Sequence, residues 1–280
     1  ADDFAREDYK TQGSYGGKKD DSQAATRYPV IFIHGNSDAA LRTTDALSGW
    51  EFSIDYFQQQ GYTPAELYAT SYGDNIAWNA NTRAHDCKTV QRLRRFIQAV
   101  KDYTGQPYVN VITHSLGVTL ARKVIKGGPI SADDGSCNIG SPLKFVDVFI
   151  GLSGGNYGLC NCEGGSELFA TCNEKNGLFP GNSCGLNTLD CGLAILPFPC
   201  NGPTYSSLLM DMNSDLTMEA KRVVSGWSED DDIIMYGDIT WGRPTSLIPR
   251  STDQKTYTLY SHMETKEKTA NDQYNWVTRS

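Results

Sequence analysis

The chain has 280 residues, 39% of them hydrophobic and 21% charged, with 25 Lys plus Arg against 33 Asp plus Glu, a net charge of −8. That is enough apolar material for a real core, which excludes a disordered or fibrous protein. The acidic balance excludes a nucleic-acid or anionic-membrane partner held by charge, because phosphate surfaces demand a cationic footprint. No apolar run approaches the roughly 18–20 residues that cross a bilayer, so a soluble chain is expected. The length suits two domains or one large α/β domain.

Residues 1–27 are polar, charged and Gly-rich, and read as an N-terminal arm laid over a single domain formed by residues 28–280. The first strong signal is Tyr28-Pro29-Val30-Ile31-Phe32-Ile33-His34-Gly35, a continuous apolar run of the kind that forms a strand buried on both faces. Ser48 to Gln60 has helical spacing and stops at Gly61, and Leu67 to Tyr72 reads as a second strand. From Lys88 to Tyr103, Val90, Leu93, Ile97 and Val100 share one face, which predicts an amphipathic helix closed by Gly105. Tyr108 to Ile112 follows as a strand, Val118 to Lys126 as a helix and Phe145 to Leu152 as another buried strand. This alternation predicts an α/β fold with a mainly parallel sheet covered on both faces.

From about residue 153 to 205 the rhythm fails. The later signals are a helix near Met218–Lys221, strands at Arg222–Trp227 and Thr256–Tyr260, and a final helix beyond His262. Six of the eight cysteines, Cys160, Cys162, Cys172, Cys184, Cys191 and Cys200, lie inside the irregular stretch. Their spacing matches no zinc-ligand pattern and no His is interleaved, so four disulfides in an oxidising compartment are expected. The chain opens Ala-Asp-Asp without Met, which suits a mature secreted protein. No metal site is expected, since a His-Glu-x-x-His motif is lacking.

The informative feature is Thr113-His114-Ser115-Leu116-Gly117, at a strand-to-helix turn. A serine there projects its hydroxyl above the sheet, and small residues must flank it because strand and helix backbones come close. Gly117 satisfies this requirement, whereas Thr113 is bulkier than the usual glycine. With the order Ser, acid, His, only His262 among the four histidines is left as base, since His34, His85 and His114 precede Ser115. The acid is expected in Ser228-Glu229-Asp230-Asp231-Asp232, with Asp231 the first choice and Asp232 next, the other carboxylates being solvated. The oxyanion-hole N–H groups are expected from Leu116 and from Asn36, with His34 shaping the Asn36 loop.

Together these residues resemble the α/β-hydrolase superfamily, and more closely the secreted class 2 lipases of the nematode-type branch. The resemblance rests on the runs Pro29–Ser37, Glu66–Thr70, Val111–Thr119, Gly154–Cys160 and Thr245–Pro249, and on the tail around His262–Lys266. It implies esterase or triacylglycerol lipase activity, an extracellular location, no cofactor, and a triad of Ser115, Asp231 and His262. A Ser-x-x-Asp-x-Ile match over Ser228 to Ile233 supports Asp231, and a Thr two before the serine is tolerated in such lipases. A short-chain esterase, phospholipase or polyester depolymerase would use the same residues, and a non-catalytic lipid- or protein-binding protein would share the fold. Partners are expected to be a lipid or other ester, with transient contact at a lipid interface. The Cys-rich insertion at about 153–205 falls on the active-site edge of the sheet, and its apolar segment Leu193–Pro199 is read as a buried plug rather than a lid.

Overall fold

The computed structural model describes residues 3–181 and 204–279. A short strand β1 (Ser14–Tyr15) precedes β2 (Val30–Ile33), helix α1 (Glu51–Gln59), β3 (Leu67–Thr70), α2 (Cys87–Thr104) and β4 (Val109–His114). Helix α3 (Leu116–Lys126), the hairpin β5 (Pro129–Ala132) and β6 (Gly135–Asn138), and β7 (Val146–Leu152) follow. The remainder comprises α4 (Ser207–Ser214), β8 (Arg222–Ser228), the pair β9 (Ile239–Thr240) and β10 (Arg243–Pro244), β11 (Asp253–Tyr257), α5 (His262–Glu267) and α6 (Ala270–Thr278).

Among the described residues, seven strands form one sheet in the order β1-β3-β2-β4-β7-β8-β11. Every pairing is parallel except that of β1 with β3. Because strand residues alternate between faces, the apolar runs fill two cores at once. Ile31, Ile33, Val109, Val111 and Phe149 pack under α2, α3 and α4 on one face. Val30, Phe32, Ile112, Val148, Ile150 and Leu152 pack on the other, against α1 and α6 through Trp50, Ile54, Phe57 and Trp276.

Local chemistry sets the ends of α2. The Asp86 side chain accepts the Thr89 N–H at 2.6 Å, and Gly105 closes the helix at φ 69°, where a side chain would be strained. Disulfides join Cys87 at the start of α2 to Cys137 in β6, and Cys162 to Cys172. Cys160 is also disulfide-bonded. The remaining insertion cysteines and the Leu193–Pro199 segment lie outside the described residues.

Two expectations are corrected. No helix forms near Met218–Lys221; the helix is α4, where Leu208, Leu209 and Met212 give a buried face. The 218–221 stretch is held instead by Glu219, buried and paired with Arg122 at 2.8 Å and Lys126 at 3.5 Å. The last strand runs over Asp253–Tyr257 rather than Thr256–Tyr260, since Leu259 adopts φ 63° and cannot extend a ladder. The N-terminal arm is more than a covering: it contributes β1 to the sheet and packs Phe4 against the core. The expectation of a sheet covered on both faces holds.

A Cβ on Gly117 would lie 2.3 Å from the His34 carbonyl oxygen and 2.8 Å from that of Ile33. Both are backbone atoms of the neighbouring strand-end, so Gly117→Ala is expected to destabilise the fold by about 2–3 kcal/mol. A denaturant midpoint measured against the parent checks this.

Candidate active site

Four sheet strands deliver the site from their C-terminal ends: β2 leads into Gly35 and Asn36, β4 into Ser115, β8 into Asp231, and β11 towards His262. This is the edge of an open parallel sheet where loops diverge and ligands are met. Ser115 sits between β4 and α3 at φ 56° and ψ −131°, a backbone conformation costing about 1–3 kcal/mol for a residue with a side chain. Its N–H donates to the Leu152 carbonyl at 2.9 Å, which holds the turn against β7. Thr113 is accommodated because its hydroxyl donates to the Ile150 carbonyl at 2.8 Å inside the sheet.

The Asn36 loop passes directly beside the serine. A Cβ on Gly35 would fall 2.7 Å from Ser115 Cβ and 3.3 Å from its Oγ, so only glycine permits this approach. The loop is fixed from behind: Asn36 Nδ2 donates to the Ala80 carbonyl at 2.9 Å, and Asn36 Oδ1 accepts from Arg83 at 2.7 Å. His34 shapes it as expected. Its Nδ1–H donates to the Gly35 carbonyl at 2.7 Å, its Nε2 accepts the Tyr72 N–H at 3.0 Å, and its ring stacks on Tyr72 at 4.2 Å. Burial pushes the His34 imidazole down to about 4, so it is neutral. Leu116 opens α3, and its N–H belongs to the set that a helix leaves without an intrahelical acceptor.

Asp231 and His262 are brought together. His262 Nδ1–H donates to Asp231 Oδ2 at 2.7 Å, with both side chains buried. The other carboxylate oxygen accepts the N–H groups of Ile233 at 2.9 Å and Ile234 at 2.8 Å. Burial alone would raise the Asp231 carboxyl, but the His262 hydrogen bond and charge, with those two N–H groups, hold it below the ordinary carboxylate range. Asp232, the second choice for the acid, and Asp230 are both exposed, and each accepts one N–H from the segment that carries His262. Asp232 Oδ1 accepts the His262 N–H at 2.8 Å, and Asp230 Oδ2 accepts the Leu259 N–H at 2.6 Å.

Two further residues escaped the sequence. His114 Nε2–H donates to the His262 carbonyl at 3.0 Å, and the two rings lie 4.5 Å apart. Burial first, then the His262 charge, push the His114 imidazole well below its ordinary value, so it acts as a neutral donor. Asp238 is buried and accepts both the N–H (3.0 Å) and the hydroxyl (2.6 Å) of Ser246. Burial pushes its carboxyl up to about 7, against the Ser246 hydrogen bonds. No sequence signal separates either residue from its polar neighbours. Among the described residues, no group of three His, Cys, Asp or Glu side chains is gathered to hold a metal.

The family model for lipase (class 2) matches residues 27–275. The chain belongs to the class 2 lipases. Carboxylic-ester hydrolysis is the activity of that family, and the fold is that of an α/β-hydrolase. Among solved structures this class 2 lipase is similar to lipase BlEst2 of Bacillus licheniformis, at 9% identity and TM-score 0.54 over 93% of this chain and 96% of that one. It is similar to lipase B of Aspergillus fumigatus at 11% identity and TM-score 0.52, covering 91% of this chain and 52% of that chain, so it spans about half of the fungal protein. An extracellular α/β-hydrolase from a Paenibacillus species matches at 15% identity and TM-score 0.50, over 89% and 98% of the two chains.

Asp238 generates a pH prediction. Its carboxyl rises from an ordinary 3.8 to about 7 on folding, so between those values the folded chain holds a proton that the unfolded chain has lost. Stability from this group therefore falls as pH rises from about 4 to about 7, by a few kcal/mol in all. Asp238→Asn is expected to exceed the parent in stability at about pH 8 and to lose that advantage by about pH 4. Denaturant titrations of both proteins at the two pH values check it.

Proposed function

We propose that this chain is a secreted triacylglycerol lipase that works through a Ser115–His262–Asp231 triad and an acyl-enzyme intermediate. The observation that carries the reading is the buried 2.7 Å Asp231–His262 hydrogen bond, which accompanies a serine held at φ 56° on a strand-to-helix turn. The Asp231 carboxylate accepts from Nδ1, which leaves the lone pair on Nε2 to act as base. His262 takes the Ser115 hydroxyl proton as Oγ attacks the ester carbonyl carbon. The developing oxyanion is met by the N–H groups of Asn36 and Leu116. Collapse breaks the bond to the alcohol, which leaves with the proton from His262. Water, deprotonated by the same imidazole, then releases the acid and frees Oγ.

The motif string favours the nematode-type branch, and the disulfides suit an oxidising, extracellular compartment. Residues 28–280 serve as one catalytic domain with residues 1–27 as its arm. The protein meets its substrate by transient contact with a lipid interface.

A fluorophosphonate probe is expected to label Ser115 stoichiometrically, as read by peptide mass mapping. Ser115→Ala should abolish labelling and lower hydrolysis by about 10⁴-fold or more while the fold is retained. Retained hydrolysis in that variant would overturn the mechanism. Activity on soluble short p-nitrophenyl esters without activity on a tributyrin emulsion would replace the lipase with a short-chain esterase.

A further inference from the structure

The proposed base and the proposed oxyanion hole come from opposite ends of the chain, and one buried ion pair joins them. Lys266 Nζ donates to Asp38 Oδ2 at 2.7 Å, with side chains 1% and 2% exposed. Lys266 lies four residues beyond His262, one turn along α5, so both occupy one face of that helix. Asp38 lies two residues beyond Asn36, at the end of a turn in which its own N–H donates to the Gly35 carbonyl at 3.3 Å.

Each partner is held by further contacts. Asp38 Oδ1 accepts the N–H groups of Ala39 at 2.9 Å and Gly49 at 3.1 Å. Lys266 Nζ also donates to the Gly49 carbonyl and lies 5.5 Å from the centre of the Trp50 ring. The Lys266 carbonyl accepts Gln273 Nε2 at 2.8 Å, and Gln273 Oε1 accepts the Ser53 hydroxyl at 2.8 Å. Separating two such charges would leave each buried and unpaired, so the pair acts as a strut rather than a spring.

Two charges are a poor means of stabilising a core. Replacing a buried ion pair by apolar side chains of similar size is often neutral or stabilising, whereas what an ion pair supplies is a defined geometry. The strut joins two segments whose relative placement matters for proton transfer to a bound ester. We infer that Asp38 and Lys266 are positioning residues that set His262 against the Asn36 N–H, without touching substrate. This inference rests on the triad and oxyanion hole proposed above.

The test compares the parent with the double variant Asp38→Leu/Lys266→Met, in which both charges are removed together and the space stays filled. Thermal melting, kcat and KM on a soluble p-nitrophenyl ester, and the rate of fluorophosphonate labelling at Ser115 are measured on both. The double variant is expected to fold but melt below the parent, because the Ala39 and Gly49 N–H groups and the Gly49 carbonyl lose these partners, to lose tenfold or more in kcat and in labelling rate, and to keep KM within about threefold. A folded double variant with kcat within twofold of the parent would overturn the inference, as would a raised KM with kcat unchanged. If the double variant does not fold, the same measurements are made on the isosteric Asp38→Asn, with the same outcomes on either side. A parent that neither hydrolyses ester nor labels at Ser115 would sink the proposed function instead, and is distinguishable because it needs no variant.

Discussion

The constraint on which the site depends is the close approach of three backbones around Ser115. A serine at φ 56° and ψ −131° survives only where its surroundings leave no other conformation open. Gly117 abuts the carbonyl groups at the end of β2, Gly35 abuts the serine side chain, and the Ser115 N–H is tied to β7. The two strands that flank β4, β2 and β7, thus hold one strained residue at its end. The strain is stored at the C-terminal end of the central strand β4, above cores packed on both faces of the sheet that resist relaxation.

His262 is held differently, by many bonds and no strain. Its ring meets Asp231, its N–H meets Asp232, and its carbonyl meets His114, the residue adjoining the serine. Ser261 caps α5, its hydroxyl accepting the Glu264 N–H while the Glu264 carboxylate accepts the Ser261 N–H. A serine and an imidazole carried by segments almost 150 residues apart are therefore each fixed independently, with His114 spanning the gap. The class 2 lipase scaffold supplies rigidity at both positions before any ester arrives.

The central strands were legible because a strand buried on both faces is apolar along most of its length, with Asn110 and Asp147 the exceptions in the stretches that follow. Val30–Ile33, Val109–Ile112 and Val146–Leu152 announce themselves in that way. Strand β1 and the β5–β6 hairpin do not, since two residues of β1 and the polar face of the hairpin carry no period. Asp231 and His262 were legible from chain order and a motif, and their hydrogen bond supports that reading. Asp238 and His114 were not, because burial turns an ordinary carboxyl or imidazole into something unusual only after the chain has folded. The Asp38–Lys266 pair, 228 residues apart in sequence, leaves no local signature at all.

The two margins of the sheet carry a consequence of their own. At one side the last ladder is only the two residues of β1, lying antiparallel on β3. At the other, β11 begins Asp253-Gln254-Lys255, with Asp253 engaged by Arg222 and Lys255 by Asp272. A strand from another molecule would find a stub on one margin and charged side chains on the other, both poor templates for adding a ladder. The arm that looks dispensable from its composition thus leaves only a two-residue ladder at that margin.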